Sequence, residues 1–314
     1  MNRIVGYNKS VNDVEFTIKK GETVGLVGES GSGKTTLGRC IVRLYDSTAG
    51  SIKFNVNGKM TELTNLSTKE MKNIRKNFQM LFQDVYSSLD TRMKISKIVT
   101  EPLDIHNVGT KKERIERAKE LMIKVGLSEN DLEKYPHQFS GGQRQRIGIT
   151  RALSINPEFI ICDEPVSALD VSVQAQILNL LVDLKNEFNL SYLFIAHDLS
   201  VVKYISDRII VMYLGKILEI ASSSDIYESP RHPYTEALLA AISKNVAGSK
   251  RDILLKGNIP DPSNPPSGCV LHPRCSYARD ICKNITPELM PVKGKPNAFA
   301  ACHLTNELNL KSFN

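Results

Sequence analysis

The sequence predicts an α/β fold with a parallel core sheet, and three observations predict it. Residues 158–162 (Glu-Phe-Ile-Ile-Cys) and 191–196 (Ser-Tyr-Leu-Phe-Ile-Ala) are continuous apolar runs of strand length, as expected of central strands covered on both faces. Residues 173–188 between them read as a helix, the crossover that a parallel pair needs. Near the other end, residues 23–27 read as a buried strand and residues 36–42 as a helix, joined by a turn rich in glycine and serine.

Composition sets limits. With 314 residues and 41% apolar content, the chain has room for one large or two modest domains around a sizeable core. No apolar run approaches the roughly 18 residues that span a bilayer. The nearest, residues 209–221, contains Lys216 and Glu219. Met1, Asn2, Arg3 and Ile4 carry no apolar signal region, so the chain is expected to be made and kept in the cytosol. A net charge of +7 (41 Lys and Arg against 34 Asp and Glu) suits a nucleotide, a nucleic acid or an anionic surface, and equally a solvated basic face. There is no Trp and aromatics are 6%, which argues against a stacking platform for single-stranded nucleic acid.

In chain order, residues 14–18 alternate at period two and predict a half-exposed strand. After the strand at 23–27 comes Gly28-Glu29-Ser30-Gly31-Ser32-Gly33-Lys34-Thr35, which fits G-x-x-x-x-G-K-[ST], the phosphate-binding loop. Its glycines allow a tight backbone whose N–H groups point inward at a polyphosphate. Lys34 reaches the β- and γ-phosphates, and the Thr35 hydroxyl ligates Mg²⁺. Thr36 continues into a helix whose positive dipole end faces the phosphates. A flexible Gly-Ser turn is the bland alternative, disfavoured by the flanking strand and helix. Residues 51–56 alternate again and end at Asn57-Gly58, a hairpin turn. Residues 80–82 form a further apolar run. Residues 111–125 place Ile115, Ala118, Leu121, Met122 and Val125 on one helical face before Gly126, opening a helical insert that runs to about residue 155.

Asp163 follows the buried strand 159–162, where a carboxylate can hold Mg²⁺ through water; Glu164 beside it can orient or deprotonate an attacking water. The competing reading of Asp-Glu after a strand is a helix N-cap. Residues 139–146 (Phe-Ser-Gly-Gly-Gln-Arg-Gln-Arg) look like a second helix start with bare N–H groups ready for an anion. A second phosphate-binding helix start makes sense if it serves a nucleotide held by a different subunit.

Ser140-Gly141-Gly142-Gln143 resembles the signature motif of ATP-binding cassette (ABC) ATPases, and further motifs match in order. Gln83 resembles the Q-loop glutamine, Asp163-Glu164-Pro165 the Walker B motif with its catalytic glutamate, and Ser167-Ala168-Leu169-Asp170 the D-loop. His197, 33 positions after Glu164, resembles the switch histidine. Residues 78–84, 139–146 and 162–170 are similar to the ATP-binding subunits of oligopeptide/dipeptide permeases, in particular the F-type subunit. Residues 233–239 and 260–303 resemble that family's C-terminal extension. The resemblance implies a P-loop NTPase cassette with a parallel core sheet, an antiparallel β subdomain, a helical insert at about 84–155 and a small Cys-containing extension. The division falls at 1–228 and 229–314, where composition shifts and residues 229–233 (Ser-Pro-Arg-His-Pro) punctuate the chain. A helix over 234–242 and a turn-rich linker over 259–268 follow.

Two positions depart from the family. Val85 stands where Pro usually follows Gln-Asp, and the segment before the first strand is short, leaving Tyr7 as the only nearby aromatic, poorly aligned for an adenine contact and read first as a surface strand residue.

The resemblance further implies ATP and Mg²⁺ as cofactors, with Thr35, Gln83 and Asp163 as magnesium ligands. It implies a head-to-tail pair with a second ABC ATPase subunit, ATP lying between residues 28–36 of one and 140–143 of the other. It also implies two membrane permease subunits docked on the insert, an extracellular solute-binding protein, no nucleic acid, and a peripheral place on the cytoplasmic face of the cell membrane. Lys34 and His197 would stabilise charge on the γ-phosphoryl while Glu164 handles the water. Peptide uptake is the first reading; nickel or another small solute is the alternative cargo. A nucleic-acid-linked ABC ATPase or a sensor without turnover are the rival functions, and Glu164 together with His197 speaks against the sensor.

Cys40 and Cys162 lie isolated in apolar segments and read as small buried hydrophobes. Cys269, Cys275, Cys282 and Cys302 form C-x5-C-x6-C-x19-C, which in a cytosolic chain points to metal rather than disulfides and lacks the paired C-x2-C of structural zinc. The resemblance favours a [4Fe–4S] cluster on these four thiolates, with zinc or plain packing cysteines as alternatives; His272 and His303 read as surface or supporting residues rather than ligands.

Overall fold

A computed structural model describes residues 8–243 and 255–313; Tyr7 lies outside the described residues. In chain order the strands are β1 (Thr23–Val27), β2 (Lys53–Val56), β3 (Lys59–Glu62), β4 (Phe78–Leu81), β5 (Phe159–Asp163), β6 (Ser191–Ala196), β7 (Arg208–Tyr213), β8 (Lys216–Ser222), β9 (Met290–Val292) and β10 (Lys295–Ala300). The helices are α1 (Lys34–Ile41), α2 (Thr68–Ile74), α3 (Val85–Ser88), α4 (Ile95–Ile105), α5 (Lys111–Lys124), α6 (Gly141–Leu153), α7 (Val171–Phe188), α8 (Leu199–Ile205), α9 (Ser223–Glu228), α10 (Pro233–Ser243) and α11 (Asp280–Asn284). Contacts divide the chain into two compact units.

One unit comprises residues 8–17, 23–37 and 196–313. Its strands run β1-β7-β8-β10-β9. β1 and β7 are parallel, Val24 facing Arg208 and Val27 facing Val211. All five residues of β1 are buried, which is why its sequence shows no polar alternation. β7 and β8 are antiparallel, so the apolar stretch at 209–221 is a hairpin, turned at Leu214 and Gly215 with φ of 43° and 78°. β10 adds to β8 with Phe299 opposite Ile220 and Ala300 opposite Glu219, so part of the extension is woven into the sheet.

The expected strand over residues 14–18 does not form. The period-two alternation survives as alternating half-buried and exposed positions, but no strand among the described residues pairs with it. Isolated contacts hold the segment instead: Asn12 N–H donates to the Gly215 carbonyl at 2.8 Å, and Arg208 donates to the Thr17 carbonyl.

The second unit comprises residues 18–22 and 38–195. Its three parallel strands run β4-β5-β6, Phe78 facing Phe159 and Phe159 facing Ser191. β2 and β3 form a separate antiparallel hairpin, Lys53 opposite Glu62, closed at Asn57-Gly58 as the dipeptide predicts. Helices α3 to α6 surround a core of Leu89, Ile95, Ile98, Val99, Ala118, Met122, Leu132, Phe139 and Ile147. α5 begins in a capping box: the Thr110 hydroxyl accepts from Glu113 N–H and Glu113 accepts from Thr110 N–H. Its Ala118, Leu121 and Met122 are buried, with Val125 at the end of the same face. Val85, the departure from the family pattern, is the first residue of α3 and packs against the helical core, while the Asp84 side chain caps the turn by accepting from Ser87 N–H. No helix among the described residues is long and apolar enough to cross a membrane.

Candidate functional site

The phosphate loop joins β1 to α1, so the first N–H groups of α1 open onto it. Gly33 has φ of 102°, and a Cβ there would sit 2.0 Å from the Ser10 carbonyl oxygen; only glycine fits. The Lys34 ammonium is folded into the loop itself, donating to the Gly28 carbonyl at 2.7 Å, the Glu29 carbonyl at 2.9 Å and Ser32 Oγ at 3.3 Å. Lys34 and Ser32 are buried. Ser30 and Gly31 are at the exposed tip, and Thr35 and Thr36 begin the helix.

Glu29 is held from the extension. Arg274 donates through both terminal nitrogens to its carboxylate, at 2.6 Å and 3.0 Å, and the Glu29 N–H donates to Tyr234 Oη at 2.8 Å. Arg274 also reaches Tyr213 Oη at 3.3 Å, at the end of β7.

In the second unit, Asp163 ends β5 and is buried. Glu164 follows with φ of 46°, a left-handed backbone that costs a non-glycine residue about 1 kcal/mol and gathers at functional sites. Glu164 N–H is bound to the Ile195 carbonyl at 3.0 Å, and the Ser167 hydroxyl donates to the Glu164 carbonyl at 3.1 Å. The turn so fixed presents the Glu164 carboxylate to Gln83, whose Nε2 donates to it at 2.8 Å. Asp170 occupies the N-cap position of α7 without a side-chain cap bond. His197 is exposed in the turn after β6.

The Ser140-Gly141-Gly142-Gln143 corner is the start of α6 and lies at the surface, with Ser140, Gly141 and Gln143 exposed. Its N–H groups are not all bare, as the residue types suggested. Ser140 Oγ accepts from Gln143 N–H at 3.4 Å, and Gln143 Oε1 accepts from Ser140 N–H at 2.9 Å, a closed capping box. Gly142 is required by packing, since a Cβ there would meet Val173 Cγ1 of α7 at 2.5 Å.

None of the six cysteines is disulfide-bonded. Cys269, Cys275, Cys282 and Cys302 gather in one part of the extension: Cys269 N–H donates to the Cys282 carbonyl at 2.8 Å. Burial pushes the thiols of Cys269, Cys275 and Cys302 up to about 11. Yet no three His, Cys, Asp or Glu side chains among the described residues are grouped to hold a metal ion. Cys302 Sγ accepts from Leu304 N–H at 3.4 Å, and His272 and His303 bond to the carbonyls of Cys269 and Ile285. The four thiols lie near one another, and nothing among the described residues supports the iron–sulfur cluster that the resemblance implies.

Sequence reading missed Arg274, Tyr234 and Tyr213. Arg274 lies 245 positions from Glu29, and no local pattern announces a pair so distant. It also missed Glu219, which is fully buried on β8 and accepts from the N–H groups of Arg231 and His232 at 2.8 Å and 3.0 Å. A charged residue inside an apolar strand run was the available signal.

Residues 11–167 match the family described as ABC transporter, and residues 218–282 match the oligopeptide/dipeptide transporter C-terminal region. The chain is 53% identical over 306 residues to the oligopeptide transport ATP-binding protein AppF of Bacillus subtilis (strain 168), covering 96% of this chain and 91% of that protein. It is 56% identical over 241 residues to the oligopeptide transport ATP-binding protein OppF of the same organism, covering 76% and 77% respectively. Among solved structures, a dimeric post-hydrolysis state of the ATP-binding cassette MJ0796 bound to ADP and Pi is similar, with a TM-score of 0.61 at 31% identity over 68% of this chain and 90% of that one.

Proposed function

Because the chain belongs to the ABC transporter ATPases and carries the oligopeptide/dipeptide C-terminal region, we propose that it is the ATP-hydrolysing motor subunit of an importer of oligopeptides or dipeptides. The observation that carries the motor reading is the exposed start of α6 in a chain that also owns a phosphate loop. Two half-sites of opposite kind in one chain are what a head-to-tail pair requires. ATP lies between Gly28, Glu29, Ser30, Gly31, Ser32, Gly33, Lys34, Thr35 and Thr36 of one subunit and Ser140, Gly141, Gly142 and Gln143 of a second ABC ATPase subunit.

In this reading the Lys34 ammonium exchanges loop carbonyls for β- and γ-phosphate oxygens. Glu164 takes the proton of the attacking water at its carboxylate, and Gln83 holds that carboxylate in place. His197 faces the charge that develops on the γ-phosphoryl, and Asp170 lines the subunit junction. Thr35, Gln83 and Asp163 carry oxygens of the donor class Mg²⁺ takes; these residues would hold the ion, which would supply charge neutralisation at the phosphates. Phosphate contacts to both subunits favour the closed pair, and loss of the γ-phosphate releases it. Residues 1–228 form the cassette and 229–314 the extension. Two membrane permease subunits dock on the helical insert, an extracellular solute-binding protein delivers the peptide, and the chain works as a peripheral protein on the cytoplasmic face of the membrane.

Ser140→Arg tests the composite site. It places bulk and charge at the start of α6 and leaves this chain's own phosphate loop unaltered. In the complex with the partner ATPase, turnover at the partner's phosphate loop is lost while nucleotide binding at this chain's loop persists. Loss confined to this chain's own loop overturns the head-to-tail arrangement.

A further inference from the structure

Glu29 is an odd residue for a loop that receives a polyphosphate, because a carboxylate there repels the ligand. Arg274 answers that charge. Its guanidinium closes a two-point fork on both carboxylate oxygens, at 2.6 Å and 3.0 Å. The Arg274 side chain is only 8% exposed, and the Glu29 side chain is 26% exposed. The pair is shielded from solvent screening on one side. Two tyrosines fix the fork: Tyr213 Oη accepts from Arg274 at 3.3 Å with its ring under the guanidinium at 5.7 Å, and the Tyr213 and Tyr234 rings pack at 4.8 Å. Tyr234 Oη also takes the Glu29 N–H. At its other end, the Glu29 carbonyl is one of the two that hold the Lys34 ammonium. Arg274 stands in a tight turn of the extension, its N–H bound to the Leu271 carbonyl at 2.9 Å, with Leu271 buried.

The geometry points to Arg274 as a positioning residue for nucleotide binding: it neutralises Glu29, holds the carboxylate in its fork, and steadies the carbonyls that park Lys34. The extension thereby sets the affinity of the phosphate loop for a nucleoside polyphosphate. This rests on residues 28–35 being that loop. A tie that served only to fasten the extension would change melting and leave nucleotide affinity alone.

The test titrates fluorescent mant-ATP and mant-ADP into the full chain. Arg274→Ala weakens both by about tenfold, the effect of one unpaired like charge near the phosphates. Adding Glu29→Gln to that variant removes the charge and restores affinity to within about threefold of the native chain, and Arg274→Lys, which keeps the charge without the fork, stays within the same range. Native affinity in Arg274→Ala overturns the proposal, and so does a loss that Glu29→Gln fails to restore. Arg274→Gln, closer in volume, is titrated alongside and carries the same outcomes should the alanine variant not fold. Lys34→Ala is the separate control. If it binds nucleotide normally, the phosphate-loop reading itself fails, whatever Arg274 does.

Discussion

The Gln83 amide donates to the Glu164 carboxylate at 2.8 Å, joining the second residue beyond β4 to the residue after β5. Both strands belong to one parallel set, so the bond links two adjacent strand ends. A neutral donor on a carboxylate restrains its rotamer without neutralising it. Gln83→Ala is expected to reduce ATP turnover by about tenfold or more while nucleotide affinity changes little, because positioning of a base is lost and the phosphate loop is untouched. Steady-state phosphate release in the transporter complex, alongside mant-ATP titration, separates the two.

Glu164→Gln retains the shape of the side chain and removes its basicity. Turnover is expected to fall by about 10²–10⁴-fold with ATP binding intact, the range for loss of a general base. Single-turnover hydrolysis measures it, and native rates in this variant would remove Glu164 from its role.

The strand–turn–helix around residues 23–41, β5, β6 and α5 were legible because each signal is local: a spaced set of glycines, an unbroken apolar run, a helical stripe with a cap and a stop. The strand at residues 14–18 was misread because alternation reports which side chains face inward, whereas a strand also needs a backbone partner. At Ser140 the residue types announced a helix start, but Gln143 closes the box that glycines alone would leave open. The cysteine spacing marked where the thiols gather and said nothing of how they are oriented. Arg274 was invisible, since its meaning exists only once the chain has folded.

Burial pushes the Glu219 carboxyl up to about 7 and pushes the buried His232 imidazole down to about 3. The signs oppose. The native state keeps the Glu219 proton where the unfolded chain releases it, so this group costs stability as pH rises from about 4.5 to about 7, by up to about 3 kcal/mol. His232 resists protonation, so it costs stability as pH falls from about 6.5 to about 3. Glu219→Gln loses a fixed amount at every pH, because its amide nitrogen cannot accept from one of the two backbone N–H groups. It also loses the decline between pH 5 and 7.5. Urea unfolding of both proteins across that range should show the native curve falling relative to the variant; parallel curves would place the Glu219 titration elsewhere.

Met122 is fully buried in the helical core beside Ala118 and Ile147. Met122→Ala should destabilise that core by about 2–4 kcal/mol through lost contacts and a cavity. Hydrogen exchange should show the loss across α4 to α6.

The pairing of β10 with β8 means that residues 295–300 cover a strand edge that β8 would otherwise leave open. A shortened chain ending near residue 228 would strip the outer hydrogen-bonding rim from β8, a strand whose Ile217, Leu218, Ile220 and Ala221 are all buried. Such a rim recruits other chains. Truncation is therefore expected to yield sticky, self-associating protein rather than a minimal motor, and the tail's first service to the molecule is to keep it solitary until its proper companions arrive.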